Sequence, residues 1–155
     1  MQILLAYNMI EKVRELFIEY QTTMNLDLRF QNFDAELANL PGDYALPGGR
    51  LYIAMHGDHL AGCIALRAID NQNCEMKRLF VRGQFRGLGA GRALSERIIK
   101  DAQEIGYSRM VLDTFASMKE AILLYKKLGF VEIEPYNNNP NTDAVFLGLD
   151  LLKVM

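Results

Sequence analysis

Nine residues constrain this chain most: Gln84-Phe85-Arg86-Gly87-Leu88-Gly89-Ala90-Gly91-Arg92. A strand-like run ends just before them at Val81. A long helical pattern starts at once, with Leu94, Ile98, Ala102 and Ile105 on one face and Gly106 as its stop. A strand that turns through three glycines into a helix exposes the unpaired N–H groups of the first helical turn and their partial positive charge. Glycine, having no side chain, lets a bulky anion approach that backbone. Arg86 and Arg92 add formal charge. Two readings stand from the residues alone: a pyrophosphate cradle, and a glycine-rich connection that only starts a helix.

The distribution of charge favours the cradle. Residues 77–109 hold eight basic groups (Lys77, Arg78, Arg82, Arg86, Arg92, Arg97, Lys100, Arg109) against three acids (Glu96, Asp101, Glu104), in a chain whose formal net charge is −2. A local anion site in an acidic protein is the expectation, with part of the excess on ordinary solvated helix surface. A P-loop is excluded, because no Gly-Lys-Ser/Thr closes the turn. A dinucleotide fingerprint is excluded too: Arg92 stands where the third glycine belongs, and the preceding strand ends a meander instead of opening a βαβ unit.

The rest of the chain supplies the frame. Ile3–Tyr7 reads as a first strand. After Asn8, a candidate cap, Met9, Val13, Leu16, Phe17 and Tyr20 draw one helical stripe. A short helix is expected from Asp34 to Leu40. Strands follow at Leu51–Met55, Leu60–Ile69 and Glu75–Val81, joined by turns at residues 56–59 and 70–73. After the long helix come a strand at Met110–Leu112, a helix carrying Met118, Ile122, Tyr125 and Leu128, and closing strands at Phe130–Ile133 and Ala144–Leu149. The order is two helices, an antiparallel meander, then β-α-β-α-β-β. That predicts an α/β domain, residues 1–155, with a mixed sheet and helices on both faces.

Composition sets limits. Half of the 155 residues are hydrophobic and 23% are charged, as in ordinary globular domains. The acidic balance argues against a nucleic-acid partner. No apolar run reaches the ~20 residues of a membrane span, and the start lacks a signal peptide's flank. A soluble cytoplasmic protein is expected. The two cysteines, Cys63 and Cys74, form no disulfide framework, and no metal-ligand spacing occurs.

Gln84-Phe85-Arg86-Gly87-Leu88-Gly89 fits the pattern Q/R-x-x-G-x-G/A. It follows the strand Glu75–Val81 and precedes, by about forty residues, Leu124-Tyr125-Lys126-Lys127-Leu128-Gly129-Phe130. Together these resemble the GCN5-related N-acetyltransferase (GNAT) superfamily, in particular small bacterial members of unassigned substrate. The resemblance implies the GNAT fold and acetyl-CoA as cosubstrate, without a metal. The acceptor would be a primary amine of a small molecule or peptide, attacking directly in a ternary complex. Homodimers, common in that family, are a further implication. By the same analogy, backbone N–H groups across Arg86, Gly87, Leu88, Gly89, Ala90, Gly91 and Arg92 would hold the pyrophosphate, with Gln84 opening the turn. Leu79, Phe80 and Val81 would pair with the pantetheine arm beside a bulge, and an N–H near Leu79 would polarise the thioester carbonyl.

Tyr125 is then the candidate acid for the departing thiolate, since a phenol of pKa ~10 is protonated at pH 7. Its other reading is a core aromatic at helical spacing. Glu75 is the candidate base. Period two would set it on one strand face with Lys77, Leu79 and Val81. Its other reading is a structural ion pair with Lys77, Arg78 or another cation. Met118 stands where the family often has an asparagine, so Ser117 is the candidate substitute contact. His56 and His59 read as solvated turn residues, and the cysteines as inert hydrophobes. Phe30, Phe33, Tyr44 and Tyr136 are candidate walls of an acceptor pocket. Acids outnumber bases over residues 1–58, which suits a cationic amine, whereas Lys77 or Arg78 suits a carboxylate-bearing one. The rival from another class is a catalytically silent acyl-CoA-binding sensor or assembly module.

Overall fold

Alternating apolar residues through the middle of the chain build a seven-stranded sheet. The computed structural model describes residues 1–28 and 32–153. Strands β1 (Gln2–Leu5), β2 (Arg50–His56), β3 (His59–Ala68) and β4 (Asn73–Val81) run antiparallel in sequence order. Beyond them lie β5 (Arg109–Phe115), β6 (Val131–Glu132) and β7 (Ala144–Asp150), giving the order β1-β2-β3-β4-β5-β7-β6. Helices α1 (Ile10–Thr23) and α2 (Phe33–Ala38) cover one face, and α3 (Ala90–Ile105) and α4 (Lys119–Lys127) the other. The expected mixed sheet with helices on both faces is therefore present.

The helical stripes are the faces that bury. Val13, Leu16 and Phe17 of α1 pack with Leu51, Ile53 and Cys63. Leu94, Ile98 and Ala102 of α3 pack with Ile64, Leu66 and Met110. The sheet thus separates two apolar cores. Asn8 does not cap α1: the N-cap is Met9, and no side chain bonds there. An amide one residue upstream of the cap lacks the geometry that reaches the N2 and N3 amides.

The pairing of β4 decides where a ligand can enter. β4 runs parallel to β5 over only three rungs, Asn73↔Arg109 to Glu75↔Val111. Beyond these, β5 bonds β7 and β4 bonds β3, so β4 and β5 diverge. Within β4 the register steps from Ala65↔Lys77 to Cys63↔Phe80, so Arg78 and Leu79 together oppose Ile64. Arg78 takes the extra place at φ +62°, a left-handed conformation rare for a long side chain.

This bulge overturns one expectation. Cys74 and Met76 face the α3 core, and past the bulge Leu79 and Val81 do so as well. Glu75 and Lys77 turn the other way, as Phe80 does into the α1 core. Glu75 and Leu79 therefore lie on opposite faces, because one extra residue inverts a period of two.

Arg78 stays in place because both of its ends are held. Its Nε and Nη2 donate to the two carboxylate oxygens of Glu36 at 2.9 and 2.8 Å, and its guanidinium lies 5.2 Å over the Phe33 ring. Its side chain is only 3% exposed. Removing one partner of a buried pair strands the other charge. Arg78→Ala is expected to lower unfolding stability by about 3 kcal/mol in urea titrations. Arg78→Gly is expected to be the milder change by about 1 kcal/mol, since glycine accepts the positive φ.

Candidate active site

The turn after β4 is anchored before it opens. Gly83–Phe85 form one turn of 3-10 helix, and Phe85 is buried. The rings of His56 and His59 lie 5.6 and 6.1 Å from the Phe85 ring, so these exposed turn residues brace the loop. Gly87 and Gly89 then take φ +82° and +85°. A Cβ at either would meet nothing within 4 Å, so backbone conformation, not crowding, calls for glycine there.

The amides show the result. Arg86 N–H donates to Gly83, and the next internal bond runs from Ala93 N–H to Gly89. Between them the six N–H groups of Gly87 to Arg92 donate no hydrogen bond among the described residues. All but Leu88 belong to residues that line a cavity of about 580 Å³. Arg86, Gly87, Gly89, Ala90, Gly91 and Arg92 form one wall, and Leu79, Phe80 and Val81 of β4 another. Ser117, Met118 and Lys119 close it from the start of α4. Gln84 and Leu88 are exposed and lie outside its lining.

The charge around this mouth is largely balanced. Arg82 binds Glu15 and Glu19, Arg78 binds Glu36, and Arg92 Nε lies 2.7 Å from Glu96. The basic excess and the acidic N-terminal region thus answer one another across the fold. Anion attraction at the turn falls to the backbone amides and Arg86.

Where β4 leaves β5 a small space of about 40 Å³, the neck, adjoins this cavity. Leu79, Met118 and Ala121 border both spaces, and Tyr125 lies in the neck. The Tyr125 ring packs 5.7 Å from Phe130 within the core, and burial followed by the nearby Tyr20 pushes its phenol up. It stays protonated, and its hydroxyl donates no hydrogen bond among the described residues. The core role and the neck position coexist. Met118 occupies the expected asparagine's place, and its sulfur accepts from Thr114 Oγ1 at 3.4 Å.

On the far side Lys77 borders both the neck and a polar cavity of about 510 Å³. Glu75, only 1% exposed, lies in its wall. Its Oε1 accepts from Arg67 Nε at 2.7 Å and its Oε2 from the Tyr136 hydroxyl at 2.5 Å. The ion-pair partner is thus Arg67, directly opposite in the β3–β4 ladder, not Lys77 or Arg78. Burial and then Glu75 push the Tyr136 phenol up. Asn137 and Asn139 donate to Asp113 Oδ2 at 2.9 and 3.2 Å, fastening the same loop to β5.

Of the expected acceptor walls, Tyr44 lines this cavity, while Phe33 is buried beneath Arg78. Tyr136 adjoins it through Glu75, and Phe30 lies outside the described residues. Arg67 and Asp113 were not anticipated. Only cross-strand register reveals Arg67, and only the folded loop reveals Asp113. Cys74 faces away from Glu75, and burial raises its thiol to about 12. Among the described residues no His, Cys, Asp or Glu cluster forms a metal site, and no helix is long and apolar enough to cross a membrane.

A model of the acetyltransferase (GNAT) family matches residues 10–130. An uncharacterised N-acetyltransferase of Dictyostelium discoideum is 37% identical, over 94% of this chain and 96% of that protein. A GNAT-family acetyltransferase from Staphylococcus aureus Mu50 superimposes with a TM-score of 0.80 at 24% identity, covering 97% of this chain and 98% of that one. A GNAT-family acetyltransferase from Elizabethkingia anophelis, solved with acetyl-CoA bound, gives a TM-score of 0.58 at 28% identity, over 72% of this chain and 81% of that one.

The half-buried Lys77 yields a test of the site's electrostatics. Burial, and then the adjacent Arg78, lower the Lys77 ammonium to about 8. The unfolded chain therefore holds a proton there that the folded chain has lost between pH 8 and the ordinary lysine range. Stability rises with pH wherever the unfolded state binds more protons. The stability of the native protein relative to Lys77→Met is expected to increase from pH 8 to 9.5. Urea midpoints across that range, read before tyrosines ionise, check it.

Proposed function

This chain belongs to the acetyltransferase (GNAT) family, a family of acyltransferases, and from that premise we propose that it transfers an acetyl group from acetyl-CoA to a primary amine of a small molecule or peptide. The observation that carries the reading is the row of six open amides, Gly87 to Arg92, beside a cavity that the neck at Tyr125 adjoins. The amides would hold the diphosphate, as a helix N-terminus suits an anion. Leu79, Phe80 and Val81 would lie along the pantetheine arm, and Ser117 would contact it from α4. The neck would receive the thioester, and the polar cavity the amine.

The chemistry then divides among this chain's own groups. The amine attacks the thioester carbonyl directly, forming the C–N bond as the C–S bond breaks. Charge developing on the carbonyl oxygen calls for a fixed donor, a role we assign to a backbone N–H near Leu79. Tyr125, kept protonated by burial, donates to the departing sulfur. Glu75 takes up the amine's proton through water, and Arg67 and Tyr136 fix its orientation.

A second reading has one observation in its favour. Both Glu75 oxygens are engaged, as they would be in a structural ion pair of a silent acyl-CoA-binding module. Thiol release from acetyl-CoA across a panel of amines separates the two. Turnover supports the enzyme; saturable coenzyme A binding without turnover on any amine supports the module.

Each role has its own readout. Tyr125→Phe is expected to lower kcat roughly 10²-fold or more with coenzyme A affinity nearly intact; a collapse of affinity would make the tyrosine structural. Gly89→Glu places bulk and negative charge on the amide row and is expected to abolish coenzyme A binding in calorimetry. Unchanged affinity there would remove the cradle.

A further inference from the structure

We propose that the polar cavity selects a small primary amine that also bears a carboxylate, with the Arg67 guanidinium as the carboxylate's partner. This deepens the transfer reading and rests on it. It narrows the acceptor from any amine to free amino acids and close analogues, at the expense of peptides and polyamines.

The carboxylates around the cavity are the first ground. A polycationic acceptor needs acids whose charge is not already answered. Glu36 is bound on both oxygens by Arg78, and Glu75 on both oxygens by Arg67 and Tyr136. Asp43 is 81% exposed at the rim, 4.0 Å from Arg67 Nη1. The same lining also holds Arg67, Lys77, Asn137, Asn138 and Asn139. Of the three carboxylates in the lining, two are thus already bonded to a guanidinium, and the third, Asp43, lies at the rim.

The second ground is the state of Arg67. Glu75 takes only its Nε, at 2.7 Å. Neither Nη donates a hydrogen bond among the described residues, and Asp43 is too far to accept one. The side chain is 35% exposed and lines the cavity. Glu75 thus pins one edge of a planar fork in the cavity lining and leaves both Nη groups without a hydrogen bond among the described residues, Nη1 lying 4.0 Å from Asp43 Oδ2. A guanidinium presented this way matches a carboxylate with two parallel N–H···O bonds.

Order along the strands supplies the third ground. Lys77 borders both the cavity and the neck, whereas Arg67 borders the cavity alone. Arg67 pairs with Glu75, and Lys77 with Ala65, two residues closer to the bulge. Two strand residues span about 7 Å. A carboxylate on Arg67 thus leaves its amine on the neck side of the cavity, close to its own carboxylate as in an α- or β-amino acid. A peptide N-terminus, whose adjacent carboxyl is an amide, lacks that second anchor.

Matched acceptors test this in a thiol-release assay: the common amino acids, their carboxamides and their decarboxylated amines, with native protein and Arg67→Gln. For native protein, kcat/KM is expected to favour the best acid over its carboxamide by about 10- to 100-fold, as suits hydrogen bonds to a charged group. In Arg67→Gln that ratio is expected to fall towards one, chiefly through the KM of the acid. A merely structural Arg67 would lower both substrates together and leave the ratio standing, which overturns the proposal. So does a native enzyme that uses carboxamides or simple amines as well as acids, a comparison that needs no variant to fold. Release confined to amines without a carboxylate removes this proposal alone. No release with any of the three classes removes the transfer reading, and this one with it.

Discussion

One extra residue in β4 organises this molecule. The Arg78 bulge bends the strand away from β5, so the parallel pairing ends at Glu75↔Val111 and a neck opens between two cavities. Bulges raise local twist and re-aim side chains. Here the bulge turns Leu79 and Val81 to the α3 side while leaving Glu75 and Lys77 on the other. The Glu36 carboxylate and the Phe33 ring hold the strained residue, so α2 serves as a brace for the strand opposite it. Fold stability and cavity shape are therefore coupled at one ion pair.

The same device separates two kinds of chemistry. The wider space beyond the neck is bounded by backbone amides, apolar side chains and the charged Arg86, Arg92, Lys119 and Glu120. The other is bounded by Arg67, Lys77, the carboxylates of Glu36, Asp43 and Glu75, and asparagines. Tyr125 and Lys77 both meet the neck, one buried and neutral, the other with its proton held less tightly than in water. Such divergence between neighbouring titratable groups is what acid–base chemistry at neutral pH draws on. The β6–β7 loop completes the arrangement by bringing Tyr136 to Glu75 and two asparagines to Asp113.

Much of this was legible in the residues, for reasons that differ by element. The stripes of α1 and α3 bury as their spacing requires, because a helix has one face to hide. The glycine turn was legible because positive φ at Gly87 and Gly89 is what glycine permits. The bulge was not, since an arginine carries no sign that it will adopt a left-handed conformation. The side of the sheet on which Glu75 falls relative to Leu79 was accordingly misread. Arg67 was missed for a related reason: its partnership exists only once Arg67↔Glu75 register is set. Local chemistry shows in sequence, whereas a relation between strands appears only when the chain is assembled.

The mutual neutralisation of α1 and α2 carboxylates with Arg78 and Arg82 has a kinetic consequence. Paired charges cast little field beyond a Debye length, about 8 Å in physiological salt. An anion drifting towards this protein is therefore steered weakly from afar and feels the oriented peptide dipoles only on arrival. Discrimination resides in how long a ligand stays, and added salt should slow its arrival far less than it would on a surface studded with free lysines.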